Sequence, residues 1–105
     1  MSDSVVKRYQ KEALPILVKE FNPIRVLFFG SRVKGSATKD SDLDVIVVSS
    51  VFQNIKFVKR MPLVLKKVRF PKHVDYLCYT KEEYEKIKDE SAIVMDALRH
   101  SIEII

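Results

Sequence analysis

Two carboxylates one residue apart, Asp42 and Asp44, stand at the mouth of the apolar run Leu43-Asp44-Val45-Ile46-Val47-Val48. On a strand, residues two apart share a face and lie about 6.6 Å from each other along it. Such neighbours repel when taken out of water without a counter-charge, and a divalent cation is the simplest relief. An all-oxygen donor set with no Cys or His nearby selects Mg²⁺ or Mn²⁺ over zinc. Twelve residues before Asp42, Gly30-Ser31 closes an earlier apolar run. A glycine ending a strand permits a sharp turn and close approach of a ligand. The N–H groups that follow it, at the start of a short helix, form an anion site. Ser31 adds a hydroxyl, and Arg32 and Lys34 add positive charge. A triphosphate bridging the anion site and the metals fits this arrangement. A third acid is expected to take a proton or complete the metal cage. Asp75 is the only acid between Asp44 and Lys81, which makes it the candidate.

The specificity lies in the combination. An isolated Asp-x-Asp usually marks a solvated strand end. Gly30-Ser31, ten residues, then Asp42-x-Asp44 is different: average residue frequencies bring these four identities together by chance in about one chain in a thousand.

The elements needed to position these residues can be read on either side. Val6, Tyr9, Ala13, Leu17 and Phe21 recur at intervals of three and four, predicting an amphipathic helix over 4–20, capped by Ser2 or Ser4. Pro15 must kink that helix or begin its second half, and Asn22-Pro23 ends it. Ile24–Phe29 and Leu43–Val48 read as strands, the second apolar on both faces and therefore central in a sheet covered by helices. Pro62 disfavours helix at Met61 but suits a first helical position, so 49–60 is expected to be irregular and a helix to run from Pro62 to Val68. His73–Tyr79 reads as a third strand. Thr80-Lys81-Glu82-Glu83 spells a capping box opening a helix over Lys81–Lys88. A helix over Ser91–Arg99 and a last strand over Ile102–Ile105 complete the chain. The expected fold is α+β, a small mixed sheet of about four strands with helices packed against it, as one domain over 1–105.

Composition narrows the class. The 105 residues are 47% hydrophobic and 31% charged with a net charge of +5, as in soluble globular domains. No apolar run reaches the roughly 18 residues that span a bilayer, and Met1-Ser2-Asp3-Ser4 is no signal peptide, so a cytoplasmic location without membrane association is expected. The single Cys78 rules out an internal disulfide and reads as a buried strand residue. His73 and His100 read as surface or packing residues. Charge is two-sided: Val45–Val74 holds no acid but carries Lys56, Lys59, Arg60, Lys66, Lys67, Arg69 and Lys72, whereas 81–105 carries seven acids and four bases. The basic stretch could attract phosphates or an acidic partner. No recognised nucleic-acid motif accompanies it, so nucleic acid is not the expected direct partner.

Phe28-Phe29-Gly30-Ser31-Arg32 through Ser41-Asp42-Leu43-Asp44, with Val74–Thr80 and Glu82-Glu83, resembles the minimal nucleotidyltransferases of the polymerase-β superfamily along nearly the whole chain. That resemblance implies ATP as substrate, two Mg²⁺ ions and transfer of AMP to a hydroxyl. It implies Gly30, Ser31 and Arg32 as nucleotide-binding residues, and Asp42, Asp44 and Asp75 as metal ligands and catalytic acids, Asp75 doubling as base. It further implies an antitoxin whose partner is a helical toxin of the HEPN type, modified on a tyrosine, within a homodimer or hetero-oligomer. The alternatives are a catalytically idle antitoxin that acts by occlusion, and a nucleotidyltransferase of small molecules. The second is disfavoured because so short a chain has little material for an acceptor pocket.

Overall fold

The computed structural model describes residues 3–105. The paired helices α1 (Ser4–Glu12) and α2 (Leu14–Phe21) lead into β1 (Arg25–Phe29), the one-turn helix α3 (Ser31–Lys34) and β2 (Leu43–Val48). A 3₁₀ turn (Ser50–Phe52), α4 (Phe57–Lys67), β3 (Val74–Tyr79), α5 (Lys81–Glu90), α6 (Ala92–Arg99) and β4 (Ile102–Glu103) follow. The strands form one mixed sheet in the order β3-β2-β1-β4. β1 runs antiparallel to β2 and β4, and β2 runs parallel to β3. The α+β class and a central β2, buried at every position from Val45 to Val48, agree with the alternation and apolarity of the sequence.

Pro15 starts the second half of the helical pair. The helix breaks at Ala13, and Pro15 takes a first-turn position of α2, where its missing N–H costs nothing. The cap of α1 differs from expectation: Asp3, not a serine, accepts from the N–H groups of Val5 and Val6 at 2.9 and 3.0 Å. Ser4 is the first helical residue, and Ser2 lies outside the described residues. The capping box of α5 forms as written, with the Thr80 hydroxyl accepting from Glu83 N–H and the Glu83 carboxylate accepting from Thr80 N–H.

The largest departure is α4, which begins at Phe57 and carries Pro62 in its interior. The carbonyl that loses its partner there belongs to Val58, which is 77% exposed, so water can take the place of the missing N–H. Val64 and Val68 bury into the core and hold the helix through the proline. The final strand is shorter than Ile102–Ile105: regular pairing with β1 covers Ile102 and Glu103, and beyond it Ile104 and Ile105 still bond the Val26 backbone outside that register.

The two faces of the sheet are unequal. One carries Val26, Phe28, Val45, Val47, Tyr76 and Cys78 beneath α1, α2 and α4, packed by Tyr9, Leu17, Phe21 and Val64. The other carries Leu27, Ile46, Val48 and Tyr79 and is covered by Tyr84 and Ile87 of α5 and Leu98 of α6. Those helices leave the end of the sheet where β2 and β3 begin open, and there Asp42 and Asp75 are exposed.

Candidate active site

Strand register builds the site. Phe29 of β1 lies opposite Asp44 of β2, and Asp44 lies opposite Asp75 of β3. This forms one row across the open end of the second face. Strands stand about 4.8 Å apart, so directly paired carboxylates on one face are near neighbours. Asp42, two residues before Asp44, falls on the same side just ahead of the strand.

Gly30 is fitted to this row. It adopts φ +82° and ψ −164°, a region essentially reserved for glycine. A Cβ there would stand 2.0 Å from Asp44 Oδ2, so the Asp44 carboxylate occupies the space that a side chain would need. The glycine thus serves both the strand-to-helix turn and the seating of the acid. Ser31 begins α3 beside that carboxylate; the N–H groups of Val33 and Lys34 donate to the Gly30 carbonyl at 3.1 and 3.0 Å, which leaves those of Ser31 and Arg32 without an intrahelical acceptor.

The electrostatics are those of crowded acids. The Asp44 carboxyl is pushed up to about 6, first by burial and then by the negative charges of Asp75 and Asp42. Among the described residues no three ligating side chains are drawn into a preformed metal cage. The donor set nevertheless suits a hard divalent cation: all oxygen, one member partly buried and charge-strained, two exposed and able to move.

Arg32 sits differently from a free phosphate ligand. The residue is 7% exposed. It donates to the carbonyls of Ser41, Thr38 and Lys39 at 3.0–3.3 Å and to the Asp3 carboxylate at 3.2 Å. Five donors in a planar fork hold the 35–42 loop in place, and that loop delivers Asp42. The residue is close to the site in sequence, but its charge is spent on scaffolding. Arg60, which the charge pattern assigns to an open basic stretch, is 5% exposed. It bonds the carbonyls of Ile55 and Cys78 and forms a forked pair with Glu83 at 2.5 and 3.1 Å. That pair holds the Glu83 carboxyl below the usual carboxylate range.

A cleft of about 430 Å³ adjoins the acids, lined by Phe29, Asp44, Asp75 and Leu77 on the sheet and by Phe57, Val58 and Met61 on α4. Its volume is within the range of small-ligand sites. The α4 residues escape a reading of the sequence because Pro62 points to irregular structure there. The available signal was the pair Phe57-Val58, apolar residues left exposed between lysines.

Residues 10–104 match the family of nucleotidyltransferase domains. The chain belongs to that family. The crystal structure of a protein of Sulfolobus solfataricus assigned as a nucleotidyltransferase superposes with a TM-score of 0.58 at 25% identity, covering 85% of each chain. No curated protein matches the chain. Nucleotidyltransferase domains generally use a nucleoside triphosphate and divalent metals. Among the described residues no helix is long and apolar enough to cross a membrane.

Proposed function

We propose that the chain is a Mg²⁺-dependent adenylyltransferase that transfers AMP from ATP to a tyrosine hydroxyl of a helical HEPN-type toxin and so acts as its antitoxin. The observation that carries this reading is the register of Asp44 against Asp75 beside Gly30. It supports one metal- and phosphate-binding row open to an acceptor. Asp42, Asp44 and Asp75 would hold Mg²⁺, which when bound offsets their mutual repulsion and the charge of the triphosphate. The backbone at Gly30 and Ser31 receives the phosphates. Arg32 keeps the loop before Asp42 in position.

The acceptor hydroxyl attacks the α-phosphorus in line. Its proton passes to a carboxylate, with Asp75, the exposed acid that borders the apolar cleft, in that role. The bond from the α-phosphorus to the bridging oxygen breaks, and pyrophosphate leaves. Water exclusion rests on Phe29, Leu77 and Met61 around the row. The cleft is apolar beside the acids, which suits an aromatic hydroxyl better than a sugar.

The test is incubation with labelled ATP, Mg²⁺ and the toxin encoded beside it. Label should appear on the toxin and vanish with Asp42→Asn/Asp44→Asn. Protection of cells by that double variant without labelling would replace this reading with neutralisation by occlusion.

A further inference from the structure

The cleft beside the acids is one end of a longer groove. A second hollow shares Met61 and Asp75 with it and adds Leu65 and Lys72, and a third shares Leu65 and Lys72 and ends at Arg69. The groove therefore runs along the outer edge of β3 in a fixed order: apolar at Phe57 and Val58, acidic at Asp75, basic at Lys72 and Arg69. Phe57 and Val58 are 50% and 77% exposed, a large apolar display for two adjacent residues. The edge of β3 is already engaged, since Arg60 bonds the carbonyl of Cys78 and Met61 Sδ lies 3.5 Å from Tyr76 N. Strand addition is thereby blocked, and an occupant must bind through its side chains.

We infer that this groove receives an extended acidic segment of the acceptor protein, in which an apolar residue, a hydroxyl-bearing residue and acidic residues follow one another. The apolar residue packs on Phe57 and Val58, the hydroxyl reaches Asp75 and Asp44, and the acids meet Lys72 and Arg69. Charge complementarity selects the segment: Lys72 and Arg69 line the basic end of the groove, and no acid between Val45 and Val74 offsets them. Continuity with the acid row places its hydroxyl. At the apolar end the Phe57 ring is already stacked on Tyr79, and Val58, Met61 and Leu77 complete the lining, a surface on which an apolar side chain of a protein segment packs. This deepens the transfer reading proposed above and rests on it for the identity of the acceptor atom.

The test is an NMR titration of the full chain with the peptide acetyl-Leu-Tyr-Glu-Glu-Ala-amide, with a matched peptide carrying Lys for Glu, and with oligouridylate. The acidic peptide should shift the amides of Phe57, Val58, Leu65, Lys72 and Asp75. Val58→Glu or Lys72→Glu, both at exposed positions, should weaken it about tenfold or more. Equal binding of the lysine peptide, shifts confined to α5 and α6, no shifts at millimolar peptide, or displacement by tighter-binding oligouridylate would each overturn the inference. The two readings separate in a labelling assay. A toxin labelled equally well by Val58→Glu and Lys72→Glu removes the groove and keeps the transfer. A peptide seated as expected, with no label on any acceptor, keeps the groove and removes the transfer.

Discussion

Replacing Gly30 by alanine tests the geometry of the acid row most directly. Two costs follow from the structure. The backbone at φ +82°, ψ −164° penalises any L side chain by about 1–3 kcal/mol. The new Cβ, 2.0 Å from Asp44 Oδ2 and 3.0 Å from its Cγ, forces the carboxylate off its rotamer for about 0.5–1.5 kcal/mol more. The sum, about 1.5–4.5 kcal/mol, lowers the melting temperature of a domain this size by of order 7–20 °C. Gly35 provides the control. It has a similar φ of +83°, but nothing lies within 4 Å of its absent Cβ, so Gly35→Ala should cost only the backbone strain of about 1–2 kcal/mol. Urea unfolding of both variants, repeated in an Asp44→Ala background, isolates the contact. The cost of Gly30→Ala should shrink by about 1 kcal/mol when Asp44 is truncated, while that of Gly35→Ala should not change. Nucleotidyl transfer should fall about a hundredfold or more in Gly30→Ala, as expected for a reacting group displaced by an ångström, and stay near wild type in Gly35→Ala. Equal losses for the two glycines, no coupling to Asp44, or full transfer by Gly30→Ala would refute the seating of the carboxylate against the glycine.

Other perturbations have outcomes of defined sign. The Asp44 carboxyl rises from 3.8 unfolded to about 6 folded, so the folded state holds its proton more tightly; that stabilisation is full below 3.8 and is lost as pH rises through about 6. In metal-free buffer Asp44→Asn should therefore leave the melting temperature unchanged at low pH and raise it above pH about 6, with Mg²⁺ narrowing the gap, whereas a pH-independent difference would contradict the charge crowding. Arg60→Ala strands the Ile55 and Cys78 carbonyls and should cost about 2–4 kcal/mol in chemical denaturation, while Glu83→Gln, at the half-exposed end of the pair, should cost about 1 kcal/mol or less. Glu83's depressed carboxyl makes the pair's contribution present above the ordinary carboxylate range and lost as pH falls through its folded value. Arg32→Ala should lower stability by about 2 kcal/mol and weaken Mn²⁺ binding, measured by relaxation, because Asp42 follows the loop it holds. Lysine should not rescue it, since one ammonium cannot serve three carbonyls and a carboxylate.

Local chemistry wrote much of this protein into its sequence. The Gly30-Ser31 turn, the Asp42-x-Asp44 strand mouth, the strands Arg25–Phe29, Leu43–Val48 and Val74–Tyr79 and the Thr80–Glu83 cap depend on neighbours a few residues away. Steric allowance, side-chain alternation and reciprocal hydrogen bonds settle them at that range. The α+β class follows from their alternation. Tertiary structure decided what these residues are worth. The pairing of Asp44 with Asp75 is a matter of strand register, set by burying Val45, Val47, Tyr76 and Cys78 on the opposite face. The raised Asp44 carboxyl follows from that pairing and from burial. Charge identity alone could not distinguish Arg32 and Arg60, sunk among backbone carbonyls, from the exposed Lys59 and Lys72, because what a cation does depends on which acceptors the folded chain leaves within its reach. Likewise Pro62 gave the wrong start for α4: a proline's local penalty is modest when the orphaned carbonyl faces water and when Val64 and Val68, buried by contacts distant in sequence, hold the helix together.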